Sequence, residues 1–214
     1  MKFDILTLFP EMFAPLRQSI IQRAITAGAI EIAYTNFRDY TTNKHKRVDD
    51  SPFGGGAGLV LTAQPIVDCI NALDPEHTAH RIFMTPGAPV LTQDHVRELA
   101  QKERIIVLCG HYEGVDQRAI DLCVDECCSI GEYVLTGGEL PAMILVDAVA
   151  RHVEGVIKPE SAANESFSNG KNWEHPQYTR PADFRGMPVP EVLLNGNHAQ
   201  IQKWRDAQSP KSLT

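Results

Sequence analysis

The chain has 214 residues, of which 43% are hydrophobic and 22% are charged, the balance of an ordinary folded protein. This composition excludes disordered, collagen-like and mucin-like chains, and no apolar run approaches the ~20 residues needed to span a bilayer. Five cysteines, two of them adjacent at Cys127 and Cys128, indicate reduced thiols and not a disulfide framework. Asp4 lies where a signal peptide needs its apolar centre, so the sequence predicts a cytoplasmic protein with no membrane partner.

The net charge of -7 hides an uneven distribution. Residues 171–214 carry six basic and four acidic groups, whereas the rest of the chain carries 14 basic and 23 acidic groups. A second basic cluster spans residues 44–47. Phosphate binding needs local positive charge, so RNA stays possible as a partner, and so does the alternative of a solvated loop and an ordinary tail.

Strand and helix patterns alternate through residue 152. The apolar periodicity predicts strands at residues 2–9, 30–35, 80–85, 105–109 and 124–130. It predicts helices at residues 10–28, 62–73, 92–103, 117–122 and 140–152, with Thr92 as an N-cap. The wholly apolar stretch 105–109 is typical of a strand buried on both faces, and the alternation predicts an α/β domain with a mainly parallel sheet.

After residue 155 this pattern is lost. Residues 158–173 are rich in Ser, Asn, Ala and Gly, which predicts a linker or mobile loop. Residues 176–196 contain four prolines and are predicted to be extended, and a last helix is predicted at residues 197–207. This tail is too small for a large core of its own, so we expect it to pack on another surface or on a partner chain.

Glycine-rich segments follow three of the predicted strands, at residues 85–87, 109–114 and 129–139. Ligands of open parallel sheets bind at the carboxyl ends of the strands, so these loops predict one ligand pocket, with plain tight turns as the alternative. None of them matches the dinucleotide or Walker A pattern. A further glycine loop at residues 53–58 predicts either a flexible linker or a lid that faces the substrate.

Metal chemistry is not favoured by the sequence. Cys123, Cys127 and Cys128 lack the paired spacing of a zinc site and are predicted to be buried structural thiols. There is no HExxH or GxSxG motif, and His111 and His152 are predicted to form hydrogen bonds or to pack rather than to catalyse.

Six segments carry a family resemblance, namely residues 3–10, 48–56, 109–114, 129–142, 176–181 and 192–198. Together they resemble the bacterial tRNA (guanine-37-N1)-methyltransferases of the SPOUT class, and the match runs from residue 2 to about residue 208. The resemblance implies an α/β, SPOUT-type parallel-sheet domain at residues 1–157 with a deep trefoil knot towards its C-terminal side. An interdomain loop at 158–174 and a small, mostly helical tRNA-binding domain at 175–214, shorter than usual, complete the expected organisation.

The resemblance also assigns residues to ligands. Bent S-adenosylmethionine, held in the knot, is expected to contact Thr85, Pro86, Gly110, Glu113, Ile130, Gly131, Glu132, Tyr133, Val134, Leu135, Gly137, Gly138 and Pro141. The tRNA substrate is expected at Lys44, Arg47, Asp50 and Gly55, with no DNA partner, and the active site is expected to be a composite of two chains in a homodimer. Mg²⁺ is expected as well, although the sequence shows no cage of oxygen ligands and its residues stay unassigned.

Methylation of guanine N1 requires a base for the N1 proton and a cation near O6. Arg151 matches the arginine of the family. The family aspartate occurs in a Glu-Asp-Ser-Phe string, which here is Asn164-Glu165-Ser166-Phe167, so Glu165 takes the position of the base, with Glu160 and Asp183 as lesser candidates. Two other functions stay open: a SPOUT methyltransferase with another RNA target, and a catalytically impaired RNA-binding dimer.

Overall fold

The structure is a computed structural model that describes residues 1–158, 166–167 and 174–209. Its contacts divide the chain into two units, Met1–Ile157 and Lys158–Thr214. Within the described residues no helix has both the length and the hydropathy of a membrane span.

The first unit is built on one parallel sheet, as the sequence predicts. Its strands are β1 (Lys2–Leu6), β2 (Glu31–Thr35), β5 (His80–Met84), β6 (Arg104–Cys109) and β7 (Glu126–Cys128), in the spatial order β2-β1-β6-β5-β7. All four pairings are parallel, and Phe3 in β1 lies opposite Ile32 on one side and Ile105 on the other. The short strands β3 (Asp49–Asp50) and β4 (Val60–Leu61) form a separate antiparallel pair.

The first unit has five α-helices, four between its strands and one after the last strand. They are α1 (Ser19–Thr26), α2 (Ala63–Leu73), α3 (Gln93–Leu99), α4 (Gln117–Cys123) and α5 (Glu139–Ala150), with 3₁₀ helices at Pro10–Arg17 and Phe37–Tyr40. Alternate residues of β6 enter two different hydrophobic clusters, Ile105 and Val107 in one and Ile106 and Leu108 in the other. The sheet is therefore covered on both faces, which explains the wholly apolar sequence of β6.

The prediction of one continuous helix over residues 10–28 is wrong. The chain forms a 3₁₀ helix that contains Pro15, then Gln18 becomes extended (φ -133°, ψ 160°) and Ser19 has a positive φ of 51°. Proline has no N–H to donate to a helical hydrogen bond, so it favours a break in this segment. The apolar spacing still identified the inward face correctly, because Phe13, Leu16, Ile21 and Ala24 are all buried.

Two further differences concern the end of a helix and a short hairpin. Helix α3 ends at Leu99, four residues earlier than predicted. Its start agrees with the prediction, because Thr92 is the N-cap and its hydroxyl oxygen accepts a hydrogen bond from the amide of His95 at 3.2 Å. Within the predicted extended stretch 176–196, the chain forms a short hairpin of β8 (Asp183–Phe184) and β9 (Met187–Pro188). Gly186, with a φ of 81°, supplies the positive backbone angle that this turn needs.

The second unit contains this hairpin, a 3₁₀ helix at Glu191–Leu193 and helix α6 (His198–Gln208). Asn197 caps α6, because its side-chain oxygen accepts a hydrogen bond from the amide of Gln200 at 3.2 Å. None of the side chains of α6 is fully buried. The described part of this unit therefore has no closed core of its own.

A buried ion pair ties the end of α2 to β5. The guanidinium of Arg81, which is 4% exposed, donates to the carboxylate of Asp74 at 2.8 and 3.0 Å and to its backbone carbonyl at 2.7 Å. Burial raises the pKa of Asp74, but hydrogen bonds from Thr78, Arg81 and Ala79 outweigh it and lower the pKa to about 2. The charged form of this carboxylate is thus part of the folded state.

Acid is therefore expected to lower the free energy of unfolding of the first unit. The lowered pKa of Asp74 contributes roughly 2 kcal/mol to the free energy of unfolding above about pH 4, and this contribution is lost as the pH falls towards 2. Asp74→Asn is expected to cost about 3 kcal/mol at neutral pH, because it leaves the Arg81 charge buried without its partner. Urea unfolding at several pH values measures both effects.

The control for this pair is Asp94→Asn, since Asp94 is 87% exposed and pairs with Arg97 on the surface. That change is expected to alter the free energy of unfolding by less than about 0.5 kcal/mol. Equal effects of the two substitutions would contradict a special role for the buried pair.

All five cysteines are free thiols, and four of them are buried. Burial raises the pKa of Cys69 to about 12 and that of Cys128 to about 11, and it raises the pKa of Cys109 well above its ordinary range. Burial and the charge of Glu126 also raise the pKa of half-buried Cys127. These thiols are protonated near neutral pH, as structural cysteines are.

Iodoacetamide at about pH 7.5 is therefore expected to modify the folded protein slowly, because it reacts with the thiolate. Cys127 is expected to react first, and the four buried thiols at least about tenfold more slowly. Peptide mass spectrometry over time gives the order, with the urea-unfolded chain as the control. Rapid labelling of Cys109 or Cys128 in the folded protein would contradict this assignment.

Candidate functional site

Three polar loops meet at the carboxyl edge of the sheet. They follow β5, β6 and β7, which are direct neighbours in the order β6-β5-β7. Because these strands are parallel, the loops after them leave the sheet at the same edge. This arrangement brings together the three glycine-rich segments that the sequence singled out.

Backbone hydrogen bonds join the loop after β5 to the loop after β7. The amide of Thr85 donates to the carbonyl of Cys128 at 3.0 Å, and the amide of Leu91 donates to the backbone carbonyl of Ser129 at 2.7 Å. In return, the amide of Ser129 donates to the carbonyl of Pro89 at 2.9 Å. The two loops therefore hold each other in a fixed position.

The loop after β6 is joined to the loop after β7 in the same way. His111 and Gly137 form an antiparallel bridge, and the amide of Gly138 donates to the carbonyl of Gly110 at 2.8 Å. A Cβ atom on Gly138 would lie 2.8 Å from both the Cα of Cys109 and the amide nitrogen of Gly110. Glycine is required here because two backbone segments approach more closely than any side chain allows.

The three loops enclose a cavity of about 250 Å³, close in size to the smaller small-molecule sites of proteins. Its walls are mostly apolar and backbone atoms. The residues that line it are Phe83, Met84, Thr85, Pro86, Gly110, His111, Tyr112, Glu113, Gly114, Cys128, Ser129, Ile130, Tyr133, Val134, Leu135, Thr136, Gly137, Gly138 and Pro141.

Most of the residues assigned to the methyl donor lie in this wall. The structure brings together Thr85, Pro86, Gly110, Glu113, Ile130, Tyr133, Val134, Leu135, Gly137, Gly138 and Pro141. Gly131 and Glu132 do not line the cavity. Gly131 lies against the ring of Tyr133, whose Cδ1 atom would be 3.1 Å from a Cβ on the glycine, and Glu132 is exposed.

Glu113 is the one acidic side chain among the described residues of the cavity wall. A pocket with mostly apolar walls and one carboxylate suits a small organic molecule that carries a positive charge. The described residues contain no group of three or more His, Cys, Asp or Glu side chains that could hold a metal ion.

The glycine loop at residues 53–58 lies next to this wall through Glu113. The amide of Glu113 donates to the carbonyl of Leu59 at 3.0 Å, and a Cβ on Gly58 would collide with the Glu113 carboxyl group. Gly58 also has a positive φ of 78°. The loop is thereby fixed at its base beside the cavity.

The residues assigned to tRNA lie outside the cavity wall. Asp50 is exposed in β3, where its carboxylate accepts a hydrogen bond from the amide of Ser51 at 2.8 Å. Gly55 has a φ of 80°, with open space where a side chain would be. Lys44 and Arg47 are exposed, and the carbonyl of Arg47 accepts a hydrogen bond from the Thr41 hydroxyl at 2.8 Å.

The two residues assigned to catalysis are only partly described. Arg151 is half-buried and directly follows α5, with its amide donating to the carbonyl of Asp147 at 3.3 Å. Glu165 and the lesser candidate Glu160 lie outside the described residues. The other candidate, Asp183, accepts a hydrogen bond from the amide of Gly186 at 2.9 Å, which is a structural use of its carboxylate in the hairpin turn.

Sequence reasoning missed a buried polar cluster behind the cavity. The carboxylate of Glu139, 1% exposed, accepts a hydrogen bond from the Thr7 hydroxyl at 2.9 Å, and its other oxygen lies 3.9 Å from Nδ1 of His111. The ring of His111 packs against the rings of Phe9 and Tyr112, with centroid distances of 5.0 and 5.1 Å. Thr7 and Glu139 are 132 residues apart, so no local pattern could have indicated their contact.

Comparison with known proteins identifies the family of this chain. The family model described as "tRNA (Guanine-1)-methyltransferase TrmD" matches residues 1–213. A relative from Ruminiclostridium cellulolyticum, named tRNA (guanine-N(1)-)-methyltransferase, is 53% identical over 98% of this chain and 91% of its own length. Relatives with the same name from Geobacter sulfurreducens and Limosilactobacillus fermentum are 52% and 53% identical over 96% and 99% of this chain, and over 84% and 86% of their own lengths. The chain belongs to the tRNA (guanine-1)-methyltransferase TrmD family.

Proposed function

We propose that this protein transfers a methyl group from S-adenosylmethionine to N1 of guanine 37 in tRNA. The observation that carries the proposal is the cavity between the loops after β5, β6 and β7, whose wall contains eleven of the thirteen residues that the resemblance assigns to the donor. Family membership over residues 1–213 supports tRNA and the N1 atom of guanine as the substrate and target.

The composition of the cavity wall supports its assignment to the methyl donor. Gly137 and Gly138 let the loops after β6 and β7 approach each other closely, and Ile130, Leu135 and Pro141 offer apolar walls to an adenine ring. The Glu113 carboxylate supplies a negative charge for the positive groups of the donor. When bound, S-adenosylmethionine supplies an electrophilic methyl group on its sulfonium.

The chain must remove one proton and stabilise one negative charge. Guanine N1 is protonated at neutral pH, so a carboxylate base must take the N1 proton, and we assign this role to Glu165. Negative charge then develops on O6, and we assign its stabilisation to the guanidinium of Arg151. Glutamate extends one methylene further than the family aspartate, and a base that is positioned differently changes the rate.

The tRNA is proposed to bind the basic loop at Lys44 and Arg47, together with Asp50, Gly55 and the mildly basic residues 171–214. We further propose the domain boundaries 1–157, 158–174 and 175–214, a trefoil knot formed by the donor loops, and a homodimer whose active sites combine both chains. These details come from the family resemblance.

We propose Mg²⁺ as a further component on the family resemblance, and its ligands stay unassigned. The described residues do not offer a protein cage for the ion, since they contain no cluster of three potential metal ligands. Mg²⁺ is included in the assays because the resemblance implies it.

Two measurements test the proposal together. Calorimetry is expected to show one S-adenosylmethionine bound per chain, and donor labelled in its methyl group is expected to transfer label to a tRNA transcript with guanine at position 37. A protein that binds the donor and labels no tRNA would contradict the proposed function and would favour an RNA-binding protein without catalysis.

A further inference from the structure

The second unit contains a pocket of about 510 Å³ that the methyl-transfer site does not use. Its walls come from the segment 175–180, from the 3₁₀ helix Glu191–Leu193 and from one face of α6. Ile201, Trp204 and Arg205 line it at the spacing i, i+3 and i+4, which places them on the same side of the helix. The volume lies within the range of small-molecule sites in proteins, about 300–1,000 Å³.

Three rings surround this pocket, with Trp204 between the other two. The centroid of the Trp204 ring lies 6.2 Å from that of His175 and 6.2 Å from that of Tyr178, with the planes tilted by 60° and 58°. Tyr178 is 49% exposed and Trp204 is only half-buried. The rings therefore keep faces that a further flat group can cover.

The charge of the pocket is one-sided. Arg180 and Arg205 both line it and are exposed, and none of the described residues that line it is acidic. The whole chain, in contrast, carries a net charge of -7. Guanidinium groups bind phosphate oxygens with paired hydrogen bonds, so the pocket combines aromatic faces with an anion site.

Aromatic faces next to arginines are the means by which proteins bind unpaired nucleotides, because every base has a flat face and every nucleotide has a phosphate. An apolar peptide would use the rings but would leave both guanidinium groups without a partner. We propose that this pocket binds one unpaired nucleotide of the tRNA substrate, with its base stacked on Trp204 and its phosphate held by Arg180 and Arg205. The proposal rests on the proposed function, since it takes tRNA as the substrate.

The first test replaces the stacking face. In Trp204→Leu the helix keeps an apolar side chain but loses the ring, and the Kd for a tRNA transcript is expected to rise about tenfold. Trp204→Phe keeps an aromatic face and is expected to stay within about threefold of the original protein. The Kd for S-adenosylmethionine, measured by calorimetry, is expected to be unchanged in both variants.

The second test compares two cations on the same helix. Arg205→Gln removes a charge from the pocket, whereas Lys203→Gln removes one from an exposed position that does not line it. Arg205→Gln is expected to weaken tRNA binding and to reduce the slope of log K against log salt by about one. Lys203→Gln is expected to have a clearly smaller effect.

Tryptophan fluorescence measures direct contact between RNA and the ring of Trp204. The chain has two tryptophans, so Trp173→Phe leaves Trp204 as the only reporter, and a short single-stranded RNA is expected to quench its emission. Unchanged tRNA affinity in Trp204→Leu, or equal losses in Arg205→Gln and Lys203→Gln, would overturn the pocket while leaving methyl transfer intact. Absence of any tRNA binding by the original protein would overturn both the pocket and the proposed function.

Discussion

Glu165→Gln is expected to lower the rate of methyl transfer to tRNA by about 10² to 10⁴, the usual contribution of a general base. The amide that replaces the carboxylate has a similar size and cannot accept the N1 proton of guanine. The affinity for S-adenosylmethionine is expected to stay the same, because none of the donor residues is changed. Single-turnover rates with labelled donor measure the loss separately from binding.

Two further variants show whether the effect belongs to position 165. Glu160→Gln removes a carboxylate from the same part of the sequence and is expected to leave the rate nearly unchanged, while Glu165→Asp keeps an acid and is expected to retain most of the activity. A loss of less than about threefold in Glu165→Gln would reject Glu165 as the base. A large loss in Glu160→Gln alone would move the role to that residue.

Gly138→Ala is expected to weaken the binding of S-adenosylmethionine by roughly 10- to 100-fold. The new Cβ would lie 2.8 Å from the Cα of Cys109 and from the amide nitrogen of Gly110, and these are backbone atoms that cannot rotate away. Overpacking of this kind typically costs about 1–3 kcal/mol. The required shift moves the loop after β6 relative to the loop after β7, and these two loops form the wall of the cavity.

Gly87→Ala is the matched control for this substitution. Gly87 lies in the loop after β5, and its added Cβ would have no atom within 4 Å. Its affinity for the donor is expected to stay within about twofold of the original. Calorimetry is combined with thermal unfolding, so that only variants folded at the assay temperature are compared. Equal affinities of the two variants would contradict the cavity as the donor site.

Much of the fold could be predicted because local sequence determines it. Buried parallel strands need apolar residues on both faces, and the stretch from Ile105 to Cys109 has them. The break at Gln18 and Ser19 could not be predicted, since periodic apolar residues on both sides continue in phase through it. Only Pro15 gave a local signal for this break.

The candidate site was predictable in part for the same reason. Glycine-rich loops after successive strands indicate a pocket, and the neighbouring order of β5, β6 and β7 brings these loops together. The buried contact between Thr7 and Glu139 depends on the three-dimensional arrangement of distant segments, which a single sequence does not reveal. The close contact between Glu113 and Gly58 depends on the three-dimensional arrangement in the same way.

The position of the methyl group on tRNA tests the central claim most directly. The protein is incubated with labelled S-adenosylmethionine, Mg²⁺ and either of two transcripts, one with guanine at position 37 and one with adenine there, and the modified nucleoside is identified by mass spectrometry. The account predicts 1-methylguanosine at position 37 in the first transcript and no label in the second. Label on another nucleotide, or equal label in both transcripts, would contradict it.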